Sequence, residues 1–227
     1  MEDVVLMDVT EAVMTRRTVR GFKSDPVPEE VIREIVEIAR HAPSNSNTQP
    51  WHISIVSGGA RDRLEAAIFA EMKEGKKPYP QWPPGGSGLH GVYKQRQRDC
   101  AYEYYDAVGI DREDKRARAQ LATKNWSFFG APHAAFVSMP DTMHRANAID
   151  IGIFLQTVML LMVERGISSC PQGALAAYPG PVKEIAGMPE GNAILCGMSF
   201  GYADNDEPAN QARMTREPFD VVARLTS

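Results

Sequence analysis

Three short apolar segments, separated by long stretches of helical character, constrain the fold of this chain more than any other feature. They lie at 51–57, 133–139 and 192–202. In the first of them apolar and polar residues alternate and a pair of glycines follows, which is typical of a β-strand that ends in a turn. Strands separated by helices indicate a mixed α/β layer protein rather than a helix bundle. The order of the strands does not follow from the sequence.

Helices are predicted between and around these strands. In the segment 27–41, a proline followed by two glutamates suits the first turn of a helix. Four apolar residues then recur at helical spacing, and the face that they form should be buried. These residues are Val31, Ile35, Ile38 and Ala42. The other predicted helices span 8–17, 60–74, 94–107, 111–129 and 147–165.

Two segments are expected to be irregular. Residues 75–91 are rich in proline and glycine, interleaved with Tyr79 and Trp82, which indicates a long loop or lid rather than a helix. The tail after residue 202, which contains Pro208 and Pro218, is too polar to form a core of its own. We expect it to run extended over another surface.

The helix predicted at 147–165 is apolar nearly all round, so it should lie in the core or at a subunit interface. Its most apolar stretch, 151–163, contains Gln156 and is shorter than the roughly twenty apolar residues that span a bilayer. The acidic segment 1–13 lacks the pattern of a secretory signal, and three cysteines without a C-x-x-C pair are a poor disulfide framework. We therefore expect a cytoplasmic protein without a membrane span.

Charge and histidine spacing argue against several classes of function. The net charge is −4 and the isoelectric point is near 5.8, so binding to nucleic acid or to an anionic membrane would need a local basic patch, and none is evident. The five histidines have no H-E-x-x-H or similar spacing, so no metal site is predicted.

Two literal motif matches are rejected on their context. Residues 86–91 match G-x-G-x-x-G, but a dinucleotide fingerprint follows a strand, and here the segment 82–84, Trp-Pro-Pro, precedes it. Residues 197–201 match the nucleophile elbow G-x-S-x-G, but the histidine of such hydrolases comes later in the chain, and the last histidine here is His144. Both groups of glycines are interpreted as structural.

Three polar segments are candidates for a binding site. Residues 16–20 put three arginines beside Thr18, which suits either a solvated helix end or a site for an anion such as phosphate. The loop at 43–51 is dense in amide and hydroxyl groups, which also suits a turn that caps itself. At 170–174, a Pro-Gln-Gly sequence would present backbone N–H groups to a flat ligand. Each segment alone is a weak signal.

Taken in this order, the segments RRTVRGF, APSNSNTQPW and CPQG resemble those of the FMN-dependent nitroreductase family, and the resemblance covers nearly the whole chain. It implies an α+β fold, in which helices flank a central, mainly antiparallel sheet and the C-terminal segment wraps around a partner subunit. It also implies one domain over 1–227, with an irregular insertion at about 75–95 and an extended tail at about 203–227. The chain departs from the family's pattern in the insertion and at Gln172, where several relatives carry glutamate.

The resemblance carries cofactor roles to the matching positions. The phosphate and ribityl chain of FMN would be held by Arg16, Thr18 and Arg20, with Arg17 nearby and Arg216 completing the phosphate clamp. The family forms homodimers with flavin sites at the subunit interface, so the other subunit would contribute Ser44, Asn45, Asn47 and Gln49. The backbone around N5 of the flavin would be that of Pro171, Gln172 and Gly173.

The same resemblance implies an oxidoreductase that uses NADPH or NADH to reduce nitroaromatic compounds through FMN, by ping-pong two-electron transfer. No catalytic side chain is required, because the flavin carries the hydride. Tyr79, Trp82 and Tyr93 are candidates to cover an aromatic substrate, and anchoring the long loop is an equal alternative for them. Phe128 and Phe129 are candidates to line the substrate pocket.

Alternatives stay open on the sequence alone. The same scaffold resembles proteins that reduce enones, quinones or free flavin, remove halogens or fragment flavin. A flavin-binding protein without turnover and a helix-end arginine cluster without any ligand are the alternatives of other classes. Neither the choice between NADH and NADPH nor the natural acceptor follows from the residues.

Overall fold

A computed structural model describes residues 7–226. The first six residues of the acidic segment 1–13, which lacks the pattern of a secretory signal, therefore lie outside the described part. Within that part, the strands are β1, His52–Ser57; β2, His133–Pro140; β3, Ser168–Gln172; and β4, Asn192–Gly201. The α-helices are α1, Val9–Thr15; α2, Glu29–Ala39; α3, Gly58–Lys73; α4, Gly91–Ala107; α5, Lys115–Thr123; α6, Arg145–Glu164; α7, Pro179–Ile185; and α8, Phe219–Val222. Short 3-10 helices span Asn45–Asn47, Phe128–Gly130, Gly173–Ala176 and Pro208–Gln211.

The strands form one antiparallel sheet in the order β1-β2-β4-β3. β2 and β4 lie at its centre, and residues 134–139 of β2 have no exposed surface. Helices cover both faces of the sheet. Because β2 is buried on both of its faces, its sequence is a nearly continuous apolar run. The predicted α+β fold with a central antiparallel sheet is confirmed.

Successive residues of β2 point to opposite faces of the sheet and build two cores. On one face Phe136 packs in a cluster with Leu64 of α3. On the other face its neighbour Ala135 packs in a cluster with Ile35 of α2 and Phe154 of α6. The sheet therefore lies between a layer that contains α3 and a layer that contains α2 and α6.

Helix α2 confirms the helix predicted at 27–41, but not the whole of its buried face. Ile35 and Ala39 are buried, whereas 41% of Ile38 is exposed, so the prediction that Ile38 is buried was wrong. Residues four apart lie one above the other on a helix, and Ile38 is turned away from that stripe. The buried face is narrower than the apolar spacing predicted.

The helix predicted at 111–129 is shorter in the structure, since α5 ends at Thr123. Phe128 and Phe129 have positive φ angles of 55° and 53°, which a right-handed helix does not contain. The chain turns at these two residues and enters β2.

Strand β3 and helix α7 were not predicted. β3 has the sequence SSCPQ, without apolar alternation and with a proline, and proline is confined largely to edge strands. β3 is an edge strand, paired only with β4 among the named strands. Helix α7 begins with Pro-Gly-Pro, which reads locally as a turn.

Helix α6 is the one helix of the described part that is long and apolar enough to cross a membrane, judged by length and composition alone, and 33% of its most apolar 18 residues is buried. Its inner face contributes Phe154, Val158 and Met162 to the core cluster that contains α2. Its outer face exposes Ile149 and Ile153. The helix is therefore a core helix on one side with an apolar surface on the other.

The two segments expected to be irregular are so in the structure. Residues 76–90 contain no helix or strand, and α4 begins at Gly91. The match to G-x-G-x-x-G thus follows a loop instead of a strand, and the match to G-x-S-x-G lies inside β4. After β4 the described part of the tail contains an isolated bridge from Ala203 to Phe22, the 3-10 helix at Pro208–Gln211 and the single turn of α8, so the expected extended course stays a prediction.

Candidate active site

The arginine segment, residues 16–20, lies along the edge strand β3. Thr18 forms an isolated parallel bridge with Ser169, and the N–H of Val19 donates to the carbonyl oxygen of Ser169 at 3.1 Å. Arg16 begins this stretch directly after α1, and its N–H caps that helix. The fold therefore brings the arginine segment beside the CPQG segment.

Two arginines of the C-terminal tail join this segment. Burial and the charge of Arg216 lower the pKa of Arg16, and burial and the charge of Arg213 lower the pKa of Arg17. Within the described residues none of these four arginines forms an ion pair with a carboxylate. Guanidinium groups that repel each other and have no carboxylate paired to them are suited to bind an anion, and the planar guanidinium matches phosphate oxygens.

Sequence reasoning missed Arg213 and the residue that anchors the tail. Asn210 is 2% exposed; its Nδ2 donates to the carbonyl oxygen of Gly21 at 2.8 Å, and its Oδ1 accepts the N–H of Arg20 at 2.7 Å. The R-x-x-R spacing of Arg213 and Arg216 was the available signal for Arg213. One asparagine in a polar tail carries no comparable signal.

Arg20 points toward helix α4. Its guanidinium carbon lies 4.6 Å from the centroid of the Tyr104 ring. Burial raises the pKa of Tyr104 to about 12, and its hydroxyl has no hydrogen-bond partner among the described residues. Burial also raises the pKa of Cys170 on β3 to about 12. This burial disfavours the thiolate of Cys170, which is the nucleophilic form of a cysteine.

The amide loop, residues 44–49, closes on itself. The N–H of Gln49 donates to Ser44 Oγ at 2.9 Å, and Gln49 Nε2 donates to the carbonyl oxygen of Asn47 at 3.2 Å. Outside the loop, the N–H of Asn45 donates to Asp150 Oδ1 at 3.2 Å. Among the described residues of one chain, no hydrogen bond joins this loop to the arginine segment.

At the end of β3, the side chain of Gln172 is buried and fully engaged. Its Nε2 donates to the carbonyl oxygen of Asn125 at 3.0 Å, and its Oε1 accepts the N–H of Ser199 at 3.3 Å. Pro171 precedes it in the strand, opposite Met198. Gly173 is exposed, and a Cβ added to it would meet no heavy atom within 4 Å. The open space at the end of the strand therefore faces the backbone of Gly173.

The loop aromatics are anchored in the structure. The Tyr79 hydroxyl donates to the Glu71 carboxylate at 3.0 Å and accepts the N–H of Gly180 at 3.2 Å. Trp82 packs against a core cluster that contains Val137. These contacts favour the loop-anchoring alternative over the substrate cover.

Of the other aromatic candidates, two are buried and one is exposed. Phe128 and Phe129 are 0% and 7% exposed and belong to the hydrophobic core of the single chain, which favours a core role over the predicted lining of a substrate pocket. Tyr93 lies in the first turn of α4 and is exposed.

Comparison with known protein families tests the resemblance. The model of the nitroreductase family matches residues 13–202, a range that includes the arginine segment, the amide loop and the CPQG segment. The chain belongs to the nitroreductase family.

Individual relatives agree with this membership over most of the chain. This nitroreductase-family chain is 41% identical over 212 residues to nitroreductase NfnB of Mycolicibacterium smegmatis, covering 93% of this chain and 89% of that protein. It is 36% identical over 211 residues to 4-nitrobenzoate reductase of Pseudomonas putida, covering 92% of each. It is also similar to a crystal structure of the FMN-dependent nitroreductase NfnB from Mycobacterium smegmatis in complex with NADPH. The two structures superpose with a TM-score of 0.91 at 39% identity, and the match covers 97% of this chain and 100% of the NfnB chain.

The residues of this family member are chemically suited to FMN. Four guanidinium groups without carboxylate partners suit the phosphate, and the open space at Gly173 suits a flat ring. In the folded chain the arginine segment lies beside β3 and the tail arginines. The amide loop lies instead against helix α6. Within residues 7–226, no group of three or more His, Cys, Asp or Glu side chains is placed to hold a metal ion.

Proposed function

We propose that this nitroreductase-family protein binds FMN and uses NADPH or NADH to reduce nitroaromatic compounds. The observation that carries the proposal is the cluster of Arg16, Arg17, Arg213 and Arg216 without carboxylate partners, at the edge strand that ends in the open Gly173. The names of its relatives support the class of substrate, since they include nitroreductase and 4-nitrobenzoate reductase.

The arginine segment and the tail would bind the phosphate end of the cofactor. Arg16, Arg17 and Thr18 would reach it from one side and Arg213 and Arg216 from the other, with Arg20 held by Tyr104. Asn210 ties both parts together, because it hydrogen-bonds the backbone of Arg20 and Gly21. Binding of the phosphate would relieve the repulsion between the arginines, so the site is arranged in advance for a dianion.

The end of β3 would orient the isoalloxazine ring. Gly173 is the first residue of a 3-10 helix, so the hydrogen bonds of that helix do not use its N–H. The side chain of Gln172, held by Asn125 and Ser199, fixes the direction of the backbone there. The backbone around Pro171, Gln172 and Gly173 would thus place a donor at flavin N5, where it needs no titratable side chain.

When bound, FMN supplies a two-electron carrier that accepts hydride from the nicotinamide and passes it to the acceptor. The chain's own residues bind and orient the ligands, and no side chain is proposed as an acid, base or nucleophile. Donor and acceptor would occupy the same open face in turn, which leads to ping-pong kinetics.

We further propose a homodimer in which the amide loop of one subunit completes the flavin site of the other. Within one chain no hydrogen bond among the described residues joins the loop to the arginine segment, which supports its contribution to the site of the other subunit. Helices α1 and α6 contact each other and expose apolar side chains, as does the tail. Exposed apolar surface of this kind is typical of a protein interface. The exposed residues are Val9, Val13, Met14, Ile149, Ile153, Phe219, Val221, Val222 and Leu225.

An anaerobic absorbance spectrum at about 450 nm tests the proposed function. The purified protein should carry a flavin spectrum that bleaches on addition of NADPH and recovers on addition of a nitroaromatic compound. Bleaching without recovery would show that the acceptor is wrong, and the absence of a flavin after reconstitution with FMN would contradict the proposal. Sedimentation of the holoprotein as a monomer would contradict the dimer. A cytoplasmic location and a single domain stay predictions.

A further inference from the structure

We propose that Asp150 of helix α6 is the positioning residue that holds the amide loop in the conformation with which it meets FMN. The proposal rests on the proposed function, in which residues 44–49 contribute to a flavin site. Asp150 would act through the loop and would not itself touch the cofactor.

The amide loop has an unusual backbone that needs external support. Ser46, Asn47 and Gln49 have φ angles of 51°, 55° and 46°, in the left-handed region that residues other than glycine rarely adopt. Such residues raise the free energy of the loop, and they persist where surrounding contacts over-determine the conformation. The bond from Gln49 N–H to Ser44 Oγ closes the loop on itself but does not attach it to the rest of the protein.

One face of α6 attaches both ends of the loop. At the start, the N–H of Asn45 donates to Asp150 Oδ1 at 3.2 Å. Just after the end, the ring of Trp51 stacks on Phe154, with ring centroids 5.0 Å apart and planes 6° from parallel. Asp150 and Phe154 are four residues apart, so they lie on the same side of the helix. Among the described residues, the bond to Asp150 is the loop's one hydrogen bond to another secondary-structure element.

The side chain of Asp150 should lower the free energy of unfolding of the protein. It is 6% exposed, and its Oδ2 is buried without a hydrogen-bond partner among the described residues. A buried carboxylate with an unmet oxygen is less favourable than an apolar side chain of similar size. Its removal should therefore affect the loop and the flavin more than the stability of the fold, which separates a positioning role from a structural one.

The test compares FMN binding, loop protection and stability in variants of the full-length protein. In Asp150→Ala the dissociation constant of FMN, measured by quenching of flavin fluorescence on titration into apoprotein, should rise about tenfold, because the hydrogen bond that holds the loop to α6 is lost. Hydrogen exchange in the segment 43–51 should become faster, while the melting temperature of the apoprotein stays the same or rises. Asp150→Asn keeps an acceptor oxygen, so its affinity should lie between those of Asp150→Ala and the wild type.

Thr157→Ala is the matched control, since it removes a side-chain hydrogen bond of the same helix, from Thr157 Oγ1 to the carbonyl oxygen of Ile153 at 2.9 Å, without touching the loop. It should leave FMN affinity unchanged. A change of less than about threefold in Asp150→Ala would overturn the proposal. So would equal losses of affinity in the Ala and Asn variants together with a lower melting temperature of the apoprotein. If the wild type binds no FMN, the proposed function itself fails; if the wild type and Asp150→Ala bind it equally, only the positioning role fails.

Discussion

The guanidinium carbon of Arg20 lies 4.6 Å from the centroid of the Tyr104 ring. This contact joins the arginine segment to helix α4, which is part of the helical region between the irregular loop and β2. A cation over an aromatic face gains roughly 0.5–2 kcal/mol, depending on its exposure to water. Tyr104 therefore limits the directions that the Arg20 side chain takes.

Replacing Tyr104 tests this contact. Tyr104→Leu should weaken FMN binding by about threefold to tenfold, because Arg20 loses the ring that orients it. Tyr104→Phe should keep wild-type affinity, since the ring stays and the hydroxyl that it removes has no partner among the described residues. Both values come from fluorescence titration of the apoprotein. Equal weakening in the two variants would show that the hydroxyl, rather than the ring, matters.

The tail arginines should recognise the phosphate of FMN and not its ring. Arg216→Ala and Arg213→Ala should each weaken FMN binding by about tenfold or more, and riboflavin, which lacks the phosphate, should bind with unchanged affinity. Parallel titrations with the two flavins measure the difference. Arg33→Ala, which removes an exposed ion pair with Glu29, is the matched control and should affect neither. Equal losses for FMN and riboflavin would place the arginines elsewhere.

Trp82 should act as an anchor of the long loop. Trp82→Ala should lower the free energy of unfolding by about 2 kcal/mol, because the ring packs against the cluster that contains Val137 and Ile151. The KM for a nitroaromatic acceptor should change by less than about twofold. Urea unfolding and steady-state kinetics give the two values. A several-fold rise in KM with unchanged stability would restore the substrate cover.

His133 should make stability depend on pH. Its Nε2 accepts the N–H of Val27 at 2.8 Å, and burial lowers the pKa of His133 below its ordinary value of 6.5. The unfolded chain binds a proton as the pH falls through 6.5, whereas the folded protein does not until its lower pKa is reached. The free energy of unfolding should therefore be full above pH 6.5 and decrease as the pH falls from 6.5 toward the lower pKa of the folded protein.

Urea unfolding between about pH 7.5 and about pH 5.5 measures this dependence. His133→Gln keeps an acceptor for Val27 without titrating, so it should flatten the decrease. His41→Gln changes an exposed histidine and should reproduce the wild-type curve. An unchanged decrease in His133→Gln would assign the pH dependence to other groups.

Elements with strong local patterns were predictable, and elements held by distant contacts were not. β1, β2, β4, α2 and α6 were confirmed close to their predicted bounds. β3 escaped prediction because SSCPQ has no apolar period, and its strand conformation depends on pairing with β4 and on the bridge from Ser169 to Thr18. The burial of Phe128 and Phe129 was also unpredictable. Two successive residues with left-handed backbone conformation have no sequence pattern that tells which side of the protein their side chains face.

The sequence by itself determined the resemblance to the family, through RRTVRGF, APSNSNTQPW and CPQG, and most of the helices and strands, because short motifs and apolar periods are local properties. Only the tertiary structure decided which charges meet. It set Arg216 against Arg16 and Arg213 against Arg17, tied the tail to Gly21 through Asn210, and placed Asp150 under Asn45. These pairs are far apart along the chain, and their contacts depend on how helices and strands pack, which no local pattern encodes.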